Sequence, residues 1–138
     1  MIFALSHLFS ELNWLAVVLA TVITYGLGAL WYGLLFGKAW MQQVGKDPDA
    51  LGNPTKAMVG SFILNFITVV LLGLVVAGFD IQYWPNGLLL GLGLGVGLYV
   101  CNLCSDYLYE DRPMKLFFIQ SGYRVLSAAI ITTILAAW

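Results

Sequence analysis

The sequence predicts an all-α fold, an integral membrane four-helix bundle with a short interfacial helix at its N-terminus. Composition is the first reason, because 61% of the 138 residues are hydrophobic and 9% are charged, unlike a soluble domain. The second is that four apolar stretches can each cross a hydrocarbon core of about 30 Å, which takes about 20 helical residues. The third is that all four prolines fall between these stretches, so no span needs a proline kink.

The spans are expected at about residues 14–37, 57–77, 87–107 and 116–138. A single transmembrane domain, residues 1–138, accounts for the whole chain. The first span has no basic n-region, and it is longer than the roughly 7–15 apolar residues of a signal peptide core. We therefore expect it to remain in the mature protein.

The segment ahead of the first span, "MIFALSHLFSEL", predicts a short helix lying in the membrane interface. Ser6, His7, Ser10 and Glu11 fall at helical spacing on one side of it. His7 and Glu11 are four residues apart and could pair. A solvated polar face is the interpretation that we favour.

Basic residues predict the orientation of the chain in the membrane. Lys38, Lys46 and Lys56 lie between the first and second spans, and Arg112 and Lys115 lie between the third and fourth. The N-terminal segment, the second connection and the C-terminus have none. Because basic residues accumulate in cytoplasmic loops, both termini should lie on the outer side.

Glycines predict how the spans pack, since helices in lipid associate through close backbone approach at small residues. The third span carries two ridges, and the first span adds two further positions; these glycines are Gly87, Gly91 and Gly95, then Gly93 and Gly97, then Gly28 and Gly33. Two ridges on one helix imply contact with two neighbours. In a four-helix bundle both contacts are possible within one subunit, but a surface suited to self-association also remains, and we expect a homo-oligomer.

The pair Cys101 and Cys104 resembles a redox or metal motif, because the C-x-x-C spacing puts both sulfurs on one helix face. A structural zinc site needs four ligands, and the single histidine, His7, is predicted at the opposite membrane face. We interpret both cysteines as small packing residues and expect no metal site and no cofactor.

Arg124 is the anomaly of the fourth span, since insertion scales penalise a central arginine by about 2.5–3.5 kcal/mol. It lies about ten residues, or about 15 Å, beyond Met114. Asn65 in the second span should lie at a similar depth. Asn102 and Asp106 in the third span should lie nearer the cytoplasm.

Two interpretations of this polar centre are open. In the first, which we favour, Arg124 and Asp106 form a structural clasp with help from Asn102 and Asn65. In the second, the same groups line a solvated cavity that binds an anion, a proton or a small polar solute. Tyr25, on a polar face of the first span, could line that interior too.

A resemblance adds to this reading. The stretches "NWLAVVLATVITYGLGALWYGLLFGKAWM" (13–41) and "DYLYEDRPMKLFFIQSGY" (106–123) resemble a family of small four-span bacterial membrane proteins catalogued as a domain of unknown function. The resemblance covers essentially the whole chain. It implies a bacterial inner-membrane location and no established activity, substrate or cofactor.

The function expected first is a homo-oligomeric bundle that binds or passes a small polar solute or ion. The alternative is an accessory or scaffold protein that docks an unidentified membrane partner through its glycine ridges and a cytoplasmic charge cluster. That cluster consists of Asp106, Glu110, Asp111, Arg112 and Lys115. An enzyme is not expected, because no metal-ligand cluster and no nucleophile with a nearby base is recognisable. The expected surroundings are the lipid bilayer and further copies of the chain, with no nucleic acid.

Overall fold

A computed structural model of the protein describes residues 1–47 and 52–138. This part of the chain folds into six helices: α1 (Ile2–Glu11), α2 (Trp14–Leu35), α3 (Gly37–Val44), α4 (Thr55–Gly78), α5 (Trp84–Glu110) and α6 (Met114–Ala137). Helices α2, α4, α5 and α6 are long and apolar enough to cross a membrane. The predicted fold class is therefore confirmed, and the four apolar helices suggest a multi-pass membrane protein.

The ends of the helices follow local sequence signals. The side chain of Asn13 caps α2 by accepting hydrogen bonds from two backbone N–H groups of its first turn, at 3.1 and 3.2 Å. Pro54 and Pro113 directly precede α4 and α6, while Pro85 lies in the first turn of α5. Pro48 lies outside the described residues. No described proline therefore interrupts a span, and α4, α5 and α6 start slightly earlier than expected.

Two spans contain a π-helical turn that the sequence did not predict. One turn, Leu30–Leu35, ends α2, and the other, Gly95–Val100, lies inside α5. Such turns carry an i→i+5 hydrogen-bond pattern and occur often at functional sites. Each one changes the direction in which the following side chains point, so the faces of α5 before and after it are not in simple helical phase.

Helix α6 is central to the packing, because it contacts α2, α4 and α5, and α2 also packs against α4. Helices α4 and α5 have no comparable interface with each other. They leave between them a cleft whose floor is α6. One buried hydrophobic cluster joins α2, α4 and α6 and consists of Val17, Ala20, Val69, Leu72 and Ile131. A second joins α5 and α6 and consists of Tyr107, Leu116 and Phe117.

The first glycine ridge of α5 lies against α6. A Cβ atom on Gly87 would come within 2.5 Å of the Ala136 Cβ, and one on Gly91 within 2.6 Å of the Ala128 carbonyl oxygen. Gly95 is buried in the same row. The absence of side chains at these positions allows the two backbones to approach closely, as small residues do in membrane bundles.

The second ridge has a different environment. Gly93 and Gly97 are exposed, and an added Cβ atom at either would have no neighbour within 4 Å among the described residues. Gly33 on α2 is equally open, whereas Gly28 faces the Tyr123 hydroxyl, 2.9 Å from an added Cβ atom. We call Gly93 and Gly97 the outward ridge. Its expected role in self-association stays a prediction.

Helix α1 packs on the end of α4 that lies nearer the chain termini. Leu12, just after α1, is buried and sits against Gly73, where an added Cβ atom would come within 2.9 Å of its Cδ2. On the exposed side of α1, His7 Nε2 and Glu11 Oε1 are 3.8 Å apart. Both side chains are more than half exposed, so this pair is a solvated one that contributes little stability.

Candidate functional site

The cleft between α4 and α5 contains a cavity of about 300 Å³. Its lining comes from three helices and consists of Ser61, Leu64, Asn65, Thr68 and Leu72 of α4, Tyr99 of α5, and Tyr123, Arg124, Ser127, Ala128 and Ile131 of α6. We call this site the Arg124 cleft. The end of the bundle where α4 and α6 begin, beside Lys56 and Lys115, we call the basic end.

Arg124 is the charged group of the cleft, and it has no ionic partner among the described residues. Among the described residues, ion pairs join His7 to Glu11 and Arg112 to Glu110. The guanidinium carbon of Arg124 instead lies over the Tyr99 ring, 5.8 Å from its centre. An aromatic face stabilises a cation but does not neutralise it. The cleft therefore presents an uncompensated positive charge within an apolar span.

The expected clasp between Arg124 and Asp106 is not formed. Asp106 is exposed and does not line the cleft, whereas its neighbour Tyr107 is buried and donates a hydrogen bond of 2.8 Å to Gln120 on α6. Asn102 is also exposed, and its amide donates to the Leu98 carbonyl of its own helix at 2.5 Å. The C-terminal part of α5 thus directs the Tyr107 side chain, rather than that of Asp106 or Asn102, toward α6.

Asn65 and Tyr25 fasten α2 to α4. The Asn65 side-chain amide donates to the Thr21 carbonyl and to the Thr24 hydroxyl, both at 3.1 Å. The Tyr25 hydroxyl donates to the Met58 carbonyl at 2.9 Å. Asn65 also lines the cleft at the depth expected from the sequence, whereas Tyr25 is not part of the lining. Both side chains have an identified structural task.

Ser127 is a site residue that the sequence analysis missed. Its side chain is buried, with 8% of the residue exposed, and its hydroxyl has no hydrogen-bond partner among the described residues. By contrast, the buried Thr132 hydroxyl on the same helix donates to the Ala128 carbonyl at 2.9 Å. A buried hydroxyl without a partner costs about 1–3 kcal/mol. Its spacing of three residues from Arg124 on a helix was the available signal.

Aromatic residues of α2 hold the turn of α6 that carries Arg124. The Tyr123 hydroxyl donates to the Thr24 carbonyl at 3.3 Å, and its ring meets Tyr32 edge-on with centroids 5.3 Å apart. The Trp31 indole N–H donates to the Ile119 carbonyl at 2.9 Å. The two stretches on which the family resemblance rests therefore meet directly beside the cleft and fix the position of Arg124.

A second cavity, of about 380 Å³, lies at the opposite end of the bundle, near the chain termini. Glu11 and Asp80 are its carboxylates, and Asp80 accepts a hydrogen bond of 2.6 Å from the Gln82 amide. No residue singled out as a site candidate lines it, and the described residues contain no group of three or more potential metal ligands. Arg124 and the unpartnered hydroxyl of Ser127 both belong to the Arg124 cleft.

Comparison with known proteins gives one match. A family model described as "Protein of unknown function (DUF1761)" matches residues 15–136. That range reaches from the first turn of α2 to the last turn of α6 and includes every residue that lines the Arg124 cleft. Searches of curated proteins and of solved structures each find no match. The chain therefore belongs to the DUF1761 family of proteins of unknown function.

Proposed function

We propose that this membrane protein binds a small anionic solute in the Arg124 cleft. The observation that carries the proposal is the unpaired guanidinium, which opens onto a cavity within an apolar span. A charge in such surroundings is costly unless it is compensated, and ionisable residues in spans commonly mark a ligand or ion path. A carboxylate or phosphate matches the planar fork of N–H donors that arginine offers.

The hydroxyl of Ser127 supports the same assignment. The other serine and threonine hydroxyls of the cleft donate to their own helix, Ser61 to the Met58 carbonyl and Thr68 to the Leu64 carbonyl, both at 3.0 Å. Ser127 keeps its donor free, and it lies three residues from Arg124 on the same helix. An anion held by the guanidinium can accept this hydrogen bond as well. The cost of the buried hydroxyl would then be removed on binding.

We propose that the solute is bound without being chemically converted. General acid–base catalysis needs a group whose proton affinity suits transfer near neutral pH, usually histidine or a carboxyl group. The lining residues of the Arg124 cleft include neither. Passage of the bound solute across the membrane is the natural extension, and flux into liposomes that changes in Arg124→Gln is its test.

Thermal unfolding of the purified protein tests anion binding. A ligand that binds only the folded state stabilises it by about 2.7 kcal/mol at one hundred times its Kd. We expect at least one member of a panel of inorganic phosphate, acetate and decanoate to raise the unfolding midpoint of the wild type. Arg124→Gln should abolish the rise, whereas Lys115→Gln, which removes an exposed charge from the same helix, should keep it. No rise with any anion would refute the proposal.

We also propose that copies of the chain associate through the outward ridge. The support is that Gly93 and Gly97 are exposed at helical spacing and leave open space where a neighbouring helix could approach. Cross-linking in liposomes should yield a homo-oligomer that Gly97→Leu weakens. Recovery of the chain with a different membrane protein, lost in the same variant, would favour a scaffold role instead.

A location in the bacterial inner membrane with both termini outside completes the proposal. The orientation is supported by the five basic residues in the first and third connections and their absence from the other loops and the termini. The inner-membrane location rests on the family resemblance. Single cysteines placed at each terminus should react with an impermeant maleimide added to intact cells. Reaction only after lysis would indicate the opposite orientation, with both termini inside.

A further inference from the structure

We infer that the occupant of the Arg124 cleft is a single-chain amphiphile with one carboxylate headgroup, which enters sideways from the bilayer. The inference rests on the proposed function and names the class of ligand. Four observations lead to it: the distribution of polarity along α4, the same distribution along α6, the lateral opening of the cleft, and its charge.

Along α4 the lining changes from polar to apolar with distance from the basic end. At about 1.5 Å per residue, Ser61, Asn65 and Thr68 lie about 9, 15 and 20 Å beyond Thr55. Leu72 lies about 26 Å beyond it. Leu64 is the one apolar side chain of the polar part. This wall is therefore polar at one end and apolar at the other.

Along α6 the same change occurs at the same depths. Arg124 and Ser127 lie about 15 and 20 Å beyond the start of the helix, whereas Ala128 and Ile131 lie about 21 and 26 Å beyond it. The polar and apolar parts of the α4 wall and of the α6 floor thus lie at matching depths along the cleft. A small inorganic anion would use only the polar part, while an amphiphile matches both.

The packing of the bundle leaves the cleft open toward the side. Its walls, α4 and α5, have no comparable interface with each other, so a molecule in the bilayer can enter between them. The cavity of about 300 Å³ is at the small end of the range for ligand pockets. It has room for a headgroup and part of one chain, and the remainder of that chain can stay in the lipid.

Charge favours a monoanionic headgroup. Arg124 is the single charged side chain of the lining. A monoanion forms a neutral pair with it, whereas a dianionic phosphate would leave a net negative charge in a region of low dielectric constant. Ser127, buried and without a partner among the described residues, lies where the polar part of the α6 floor ends. Its hydroxyl can donate an additional hydrogen bond to an oxygen of a carboxylate that Arg124 holds.

The test uses the full-length protein in nanodiscs of a zwitterionic lipid, with a decanoate carrying a diazirine at its chain end as the probe. We expect photolabelling to map to the segments that contain Leu72 and Ile131. Unlabelled decanoate should compete, and decanol, which has the chain without the charge, should not. Labelling should fall at least tenfold in Arg124→Gln and remain in Lys115→Gln. Arg124→Lys, which keeps the charge, provides a second variant if the glutamine variant misfolds.

The outcomes separate the ligand class from the function. If acetate or inorganic phosphate competes as well as decanoate at equal concentration, the ligand is a small solute, the inference is overturned, and the proposed anion site stands. If Arg124→Gln is labelled like the wild type and no anion competes, both are overturned. Labelling spread evenly over the lipid-facing surfaces, without competition, would also overturn the inference.

Discussion

The guanidinium carbon of Arg124 lies 5.8 Å from the centre of the Tyr99 ring. Tyr99 belongs to the π-helical turn Gly95–Val100, so the irregular part of α5 supplies the group that contacts the charge. A cation over an aromatic face is stabilised while its N–H groups stay available at the edges. The contact therefore orients Arg124 without occupying the donors that an anion needs.

Replacing Tyr99 should weaken anion binding in proportion to the loss of its aromatic face. Because cation–π contacts contribute about 0.5–2 kcal/mol, Tyr99→Leu should raise the Kd for decanoate about 2- to 30-fold. Tyr99→Phe keeps the ring and should bind within about twofold of the wild type. Equal affinity in all three proteins, measured by titration in nanodiscs, would remove Tyr99 from the site.

Ser127→Ala should change stability and binding in opposite directions. Removing a buried hydroxyl that lacks a partner should raise the free energy of unfolding of the ligand-free protein, by up to about 1–3 kcal/mol. The same change removes a donor, so decanoate should stabilise the variant less than the wild type. Thr132→Val serves as the control, since its hydroxyl already donates to the Ala128 carbonyl and its removal should bring no gain. A destabilised Ser127→Ala protein would contradict this account.

Asn65 should contribute to stability through α2 rather than through the ligand. Its two hydrogen bonds join Thr21 and Thr24 to α4. Interhelical hydrogen bonds in membranes average about 0.6 kcal/mol and reach about 1.7 kcal/mol, so Asn65→Ala should cost about 1–2 kcal/mol of unfolding free energy. Ser61→Ala is the matched control, because that hydroxyl bonds only its own helix. A double-mutant cycle with Thr24→Val should show coupling, and strict additivity would count against the bond.

The two glycine ridges of α5 should respond differently to the same substitution. At Gly91 a Cβ atom would come within 2.6 Å of the α6 backbone, so Gly91→Ala should destabilise the protein by about 1–3 kcal/mol. At Gly93 it would meet open space, and Gly93→Ala should leave the unfolding free energy unchanged or slightly higher. Reversible unfolding in mixed micelles, followed by circular dichroism, compares the two. Similar losses in both would show that the outward ridge packs within the chain.

Counting residues along each helix predicted well how deep the candidate site residues lie in the spans. It predicted poorly which way their side chains point. The four spans follow from apolar length, and Asn65 and Arg124 share a cavity because each lies about 15 Å into its helix. Asp106 was expected to reach Arg124 because depth alone made the contact feasible. Whether two side chains face each other depends on helical phase, and the π-helical turn between the two halves of α5 alters that phase. The sequence GVGLYV contains no signal from which we could predict this π-helical turn.

The candidate site was only partly predictable from the sequence, because its cleft depends on how the helices pack. The sequence indicated that Arg124 is costly within a span. Predicting an open cleft, however, requires knowing which helices do not pack against each other. Only the arrangement in which α4 and α5 each pack on α6 and not on each other leaves Ser127 buried beside a cavity. Close packing at Gly87 and Gly91 holds α5 against α6.

The central claim is that an anion binds to the guanidinium of Arg124, and one spectrum tests it most directly. The sequence contains two arginines, Arg112 and Arg124, so protein labelled with ¹⁵N-arginine in nanodiscs gives two sets of guanidinium signals. The account predicts that decanoate shifts the Arg124 signals with saturation and leaves those of Arg112, already paired with Glu110, in place. Unchanged Arg124 signals at saturating decanoate, acetate and phosphate would contradict it.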